Sequence, residues 1–184
     1  MTEELPPHEG RNRFLFTLFV VGFLAIGFAM MIRLSMGPEQ IGQPFPAIEV
    51  AGWINGPGPT EAELKGQVIL IDAWAYWCGP CRATVPSLLE LHHKYRDRGV
   101  IFLGLTSEGT DGESLEKSRD YVKSLQIPWP NGYGAVKTLD NLNVNSIPRL
   151  WVVDRSGRIT LHEIGFDPNS LDGIQQALER ALAK

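Results

Sequence analysis

The sequence predicts an α/β domain, a mixed central sheet flanked by helices, preceded by one transmembrane helix. Three observations carry this. Strand-like apolar runs alternate with amphipathic helical stretches before a closing hairpin and helix, the order of an α/β sandwich. A charge-free apolar run occupies 14–32. Both cysteines of the 184-residue chain stand in Trp77-Cys78-Gly79-Pro80-Cys81, directly behind a buried strand.

The front of the chain reads as an anchor. At about 1.5 Å per residue the run 14–32 reaches roughly 28 Å, close to the thickness of a bilayer's hydrocarbon core. Signal peptides carry a shorter apolar region that ends in small residues, whereas this one ends in Met30-Met31-Ile32-Arg33. Ala25 and Ala29 offer a small-xxx-small face for helix pairing. Arg11 and Arg13 precede the run and Arg33 follows it, so the positive-inside rule places tail 1–13 in the cytoplasm. The rest then lies outside a bacterial inner membrane, where a cysteine pair can cycle through a disulfide. Residues 33–43, with Gly and Pro and no apolar period, form a tether, and 44–184 form the folded domain. The formal net charge of −4 gives no basic footprint and excludes a nucleic-acid partner.

The elements follow in order. Residues 45–50 and 52–54 form a short hairpin that the prolines restrict to an edge, and Asn55-Gly56-Pro57-Gly58-Pro59 is a turn. Glu61 to Lys65 is one helical turn stopped by Gly66. The stretch 68–74, nearly continuous in apolar residues, is a strand covered on both faces, interrupted only by Asp72. Val85, Leu88, Leu89 and Leu91 carry a helix over 79–98, bent at Pro86 and ended by Gly99. A second buried strand covers 100–105, and helices follow over 113–125 and 135–142. Residues 150–154 and 158–162 make a hairpin around Arg155-Ser156-Gly157. A last helix covers 170–182, capped by Asn169 or Ser170, with Leu171, Ile174, Leu178 and Leu182 on its inner stripe.

A Cys-x-x-Cys pair at a strand-to-helix junction is a redox device, because the helix N-terminus lowers the thiol pKa. The stretch Asp72-Ala73-Trp74-Ala75-Tyr76-Trp77-Cys78-Gly79-Pro80-Cys81 resembles the active site of the thioredoxin superfamily. Pro86 resembles its helix-bending proline, Ile147-Pro148 its cis-proline loop, and Gly165 the glycine after its last strand. The anchor, the opening hairpin, Leu64-Lys65-Gly66 and a helical insertion between Thr106 and Ile147 are similar to the TlpA/ResA branch of tethered extracytoplasmic thiol-disulfide oxidoreductases. Two positions depart from the pattern. Thr84 stands where some members serving cytochrome c maturation carry an acid, and Arg149 follows the cis-proline where Thr is more common.

The resemblance implies a cofactor-free enzyme with disulfide-containing protein substrates and a transmembrane thiol electron donor. Cys78, expected to be nearer the helix N-terminus and more exposed, is the attacking thiolate, lowered from the value of about 8.5 for free cysteine. Cys81, one turn inside, resolves the mixed disulfide. Asp72, its pKa raised by burial and with no lysine in 101–106 to pair with, takes the Cys81 proton, most simply through water. Gly79-Pro80 keeps the sulfurs in range and tunes the potential, and a Gly-Pro pair of thioredoxin type suggests a reductant over an oxidant. Pro148, in cis, leaves the Ile147 backbone free to pair with an extended substrate, and Trp77 is the apolar lip of the docking surface. Arg149 reads equally as an aid to the thiolate, a contact for an acidic partner or a solvated side chain, and stays outside the site.

Other chemistries fit less well. A zinc site would have to borrow the adjacent His92 and His93, and no further histidine follows at the required spacing. Covalent haem requires His after the second cysteine, where Arg82 stands. A peroxiredoxin would need a third cysteine. The rival from another class is a redox-inert, tethered binding module whose single disulfide braces the fold.

Overall fold

The computed structural model describes residues 17–24, 26–27, 40–165 and 171–184. The chain divides into two units, Met1–Glu39 and Gln40–Lys184. In the first, residues 17–24 and 26–27 are helical, and the rest of the expected span 14–32 lies outside the described residues. Among the described residues no helix is long and apolar enough to cross a membrane. Asn169 and Ser170, the expected caps of the last helix, also lie outside them.

The second unit is built on six strands: β1 Gly52–Ile54, β2 Val68–Ala73, β3 Val100–Leu105, β4 Asn131–Tyr133, β5 Arg149–Val153 and β6 Ile159–Ile164. Its helices are α1 Glu61–Leu64, α2 Gly79–Tyr95, α3 Gly112–Ser124, α4 Val136–Asn141 and α5 Leu171–Leu182. The sheet order is β1-β4-β3-β2-β5-β6. It is mixed as expected, with β2/β3 and β3/β4 parallel and β1/β4, β2/β5 and β5/β6 antiparallel.

The apolar sequence of β2 follows from its central place, because every residue from Val68 to Ala73 is buried. Side chains alternate across the sheet. Val68 and Leu70 join Leu88 and Leu91 of α2, Tyr121 of α3 and Leu178 of α5 in one core. Ile69, Ile71 and Ala73 join Leu139 of α4 and Trp151 in the other, with Phe45 and Val50 packed against it. Burying one such leucine contributes roughly 1.5–3 kcal/mol. Asp72 falls on the first face, the side of α2.

The local signals act as the residues dictate. Thr60 and Glu63 form a capping box on α1, the Thr60 side chain accepting from the Glu63 N–H and the Glu63 carboxylate accepting from the Thr60 N–H. A 3₁₀ turn, Arg96–Arg98, continues α2, and Gly99 ends it at a φ of 88°.

Two expectations are corrected. Residues 45–50 form no strand, and β1 pairs instead with β4, Gly52 opposite Tyr133 and Ile54 opposite Asn131. Pro44 and Pro46 have no N–H to donate to a ladder. Pro44 forms only an isolated bridge to Arg158, while the Glu49 N–H is taken by Thr138 Oγ1 at 2.8 Å. The segment between Thr106 and Ile147 is also not wholly helical, since it supplies β4 as well as α3 and α4.

Candidate active site

The helix that carries the cysteines begins on one of them. Cys78 is the N-cap of α2, with extended φ and ψ of −80° and 101°, and its Sγ accepts the Cys81 N–H at 3.1 Å. A sulfur in the place of the usual capping oxygen therefore faces the unsatisfied N–H groups and the positive end of a 17-residue helix. Pro80 sits in the first turn, where its missing N–H costs nothing. Cys78 and Cys81 are joined in a disulfide, with Cα atoms 5.3 Å apart. Exposure barely separates the two, at 4% for Cys78 and 2% for Cys81. It is the capping position, not accessibility, that distinguishes Cys78.

Asp72 lies under this helix, opposite Gly104 in the β2/β3 register and 7% exposed. Burial pushes its carboxyl up to about 7, against smaller lowering effects of the Trp129 indole and the Asp72 backbone. Strict hydrogen-bond geometry leaves Asp72 Oδ1 and Trp129 Nε1 unpaired among the described residues, along with Tyr121 Oη. Trp129 therefore acts on the carboxyl as a nearby dipole more than as a formed hydrogen bond. Tyr121 is in turn held above the ordinary phenol range, by burial first and then by Asp72. Its ring stacks on Trp74 at 4.5 Å and lies 5.1 Å from the Arg82 guanidinium. The Trp74 indole is fixed by donating to Asn131 Oδ1 at 2.9 Å.

Trp77, Ile147 and Pro148 are the residues expected from the sequence to dock a client. Trp77 is 63% exposed, and its Nε1 donates to Glu108 Oε1 at 3.0 Å. The Ile147–Pro148 peptide is cis, and the Gly165 N–H donates to the Pro148 carbonyl at 2.9 Å. Ile164, at the end of the outer strand β6, is 63% exposed.

Arg149 is not a solvated side chain. It is 5% exposed, opposite Ala73 on β2, and its guanidinium donates to Asn145 and Ser146. His92, weighed above as a metal ligand, packs edge-on against Phe102 at 5.1 Å and beside Trp129 at 5.4 Å.

Glu108, Tyr121 and Trp129 were not identified from the sequence. Tyr121 read only as one more apolar position of a helix. Trp129 had a faint signal, an aromatic residue held between Pro128 and Pro130. Glu108 had none.

The comparisons agree with this geometry. A family model described as thioredoxin-like matches residues 66–159, just over half of the chain. The thiol-disulfide oxidoreductase ResA from a strain of Bacillus cereus is 26% identical over 174 residues, covering 91% of this chain and 98% of that protein. The thiol:disulfide interchange protein DsbE of Pseudomonas fluorescens biotype C is 25% identical over 159 residues, covering 84% of this chain and 86% of that one. Among solved structures, a thiol:disulfide interchange protein of the thioredoxin family from Chlorobium tepidum TLS superposes with a TM-score of 0.62 at 25% identity, covering 76% of this chain and 97% of that one. With a disulfide whose first cysteine caps a helix over a buried carboxyl, the chain belongs to the thioredoxin-like family and stands within it as a thiol-disulfide oxidoreductase of the ResA and DsbE kind.

Proposed function

We propose that this oxidoreductase is a membrane-tethered, extracytoplasmic reductase of protein disulfides that works through the Cys78-Gly79-Pro80-Cys81 dithiol. The observation that carries the reading is the Cys78 sulfur at the N-cap of α2, accepting the Cys81 N–H, where negative charge on sulfur is stabilised.

The Cys78 thiolate attacks one sulfur of a client disulfide. A Cys78–client bond forms, the client S–S bond breaks, and the other client sulfur leaves as a thiolate that takes a proton from water. Cys81 then gives its proton to the Asp72 carboxylate and attacks the Cys78 sulfur, releasing the second client thiolate and closing the Cys78–Cys81 disulfide. Two electrons have passed to the client. A transmembrane thiol carrier on the same membrane restores the dithiol. With its pKa at about 7, Asp72 is half ionised near neutrality and can both accept this proton and return it. Trp77, Ile147 and Pro148 hold the client segment, and run 14–32 holds the domain at the membrane.

The test is insulin-disulfide reduction by the full chain in detergent, with Cys78→Ser as control. Reduction that disappears in the variant is the expected result. Equal rates in the two proteins would overturn the reading. For the tether, the chain is expected in the bacterial membrane fraction after an alkaline carbonate wash, and release by that wash would remove the anchor from the account.

A further inference from the structure

Arg149 is buried and charged, and its position makes it informative. Burying a guanidinium is costly unless its donors are satisfied. Here Nε donates to the Ser146 carbonyl at 3.1 Å, and Nη2 to Asn145 Oδ1 at 2.5 Å and to Ser146 Oγ at 3.5 Å. All three acceptors are neutral, and among the described residues no carboxylate pairs with it. Burial lowers the guanidinium's own proton affinity, and its charge adds to burial in holding the neighbouring His162 below the usual imidazole range.

The side chain folds back along its own chain. The two residues it grips come directly before Ile147-Pro148, and both are exposed, so neither is fixed by packing. On the other side, the Pro148 carbonyl is held by the Gly165 N–H at 2.9 Å. Ile147 thus sits between two anchored neighbours. Among the described residues, no hydrogen bond uses the Ile147 N–H or carbonyl. An unpaired backbone held between two fixed points is what an added strand needs, because pairing with a mobile segment would first have to order it.

We propose that Arg149 is a positioning residue for client docking, bracing Asn145 and Ser146 so that the Ile147 backbone is presented ready to pair with an extended client segment. This rests on the reductase reading given above. Arg149 touches no reacting atom, so its loss weakens docking of a peptide backbone and leaves the sulfur chemistry unchanged. A small aromatic disulfide has no backbone to pair and does not sense the brace.

The experiment uses the full chain in detergent with two probes, a ten-residue peptide closed by one disulfide and the small disulfide 5,5′-dithiobis(2-nitrobenzoate). Arg149→Met is expected to raise KM for the peptide about tenfold with kcat kept within about twofold, and to leave the rate with the small disulfide unchanged. Because Arg149→Met removes a buried group and can fail to fold, Asn145→Ala tests the same brace from an exposed residue. It is expected to raise the peptide KM about threefold to fivefold. Asn145→Asp, which keeps an acceptor for Nη2, is expected to restore it. A peptide KM unmoved in both Arg149→Met and Asn145→Ala, or an equal fall with both probes, overturns the inference. Failure of the unsubstituted protein to reduce either probe instead overturns the reductase reading beneath it.

Discussion

The indole Nε1 of Trp77 donates to Glu108 Oε1 at 3.0 Å, tying the exposed lip of the dithiol site to the loop that follows β3. The Glu108 end is itself held, since its N–H meets Thr106 Oγ1 at 3.2 Å and its carbonyl accepts the Gly134 N–H at 2.7 Å. The lip is therefore oriented by a fixed acceptor despite its exposure. A hydrogen bond of this kind is worth about 1 kcal/mol. Glu108→Ala is expected to raise the insulin KM about threefold to fivefold and to lower the Trp fluorescence anisotropy, with Glu108→Gln close to the unsubstituted protein. An unchanged KM and anisotropy in Glu108→Ala would remove the orienting role.

The two cysteines are expected to fail differently. Cys78→Ser abolishes insulin reduction, at least about a thousandfold, because no other thiol faces the helix N-terminus. Cys81→Ala keeps the first attack and loses the second, so it accumulates a covalent adduct with client, visible as a dithiothreitol-sensitive shift on a non-reducing gel. Adducts on Cys81 in a Cys78→Ser protein, formed as readily as on Cys78, would reverse the assignment.

Asp72 makes stability depend on pH. Its folded pKa of about 7 lies above the ordinary 3.8, so between these values the folded protein binds more protons than the unfolded one. Stability therefore falls as pH rises through this window, by on the order of 4 kcal/mol in all. In Asp72→Asn this falling contribution is expected to disappear, leaving the variant the more stable protein at pH 8 by urea titration of the oxidised form. The same variant should resolve mixed disulfides about tenfold to a hundredfold more slowly. An undiminished pH slope in Asp72→Asn would place the buried proton elsewhere.

Gly104 faces Asp72 across the parallel β2/β3 register, and its missing side chain is structural. A Cβ there would run into the Asn131 carboxamide and the Trp74 indole, the two groups that bond to each other beside the site. Gly104→Ala is expected to lower stability by about 1–3 kcal/mol through overpacking. An unchanged urea midpoint would show that Asn131 and Trp74 give way freely.

Strands β2 and β3 were legible because a strand buried on both faces must be apolar at nearly every position, and because runs this short, each with a glycine just before it, Gly66 and Gly99, favour a strand over a buried helix. The edges were not. β4 is only Asn131–Tyr133, preceded by Pro130, and its residues signal a turn. What makes it a strand is the pairing with β1 and β3, which are distant in sequence. The hairpin expected at 45–54 failed for the same reason, since local alternation could not reveal that β1's partner lies about 80 residues on. Within the site, the Cys-x-x-Cys pair was readable from residue type and spacing, the burial of Asp72 from its place in an apolar strand, and the cis peptide at Pro148 only from the resemblance to the thioredoxin superfamily. Arg149 stayed open because arginine is usually solvated, and the acceptors that let it be buried, Asn145 and Ser146, look like ordinary turn residues.

The Cys81 amide, bonded to the Cys78 sulfur, is a built-in gauge of that sulfur's state. That amide senses whichever atom the sulfur is attached to, whether a proton, a client or its own partner. In isotope-labelled protein, one backbone resonance would thus register every stage of the cycle without any added probe.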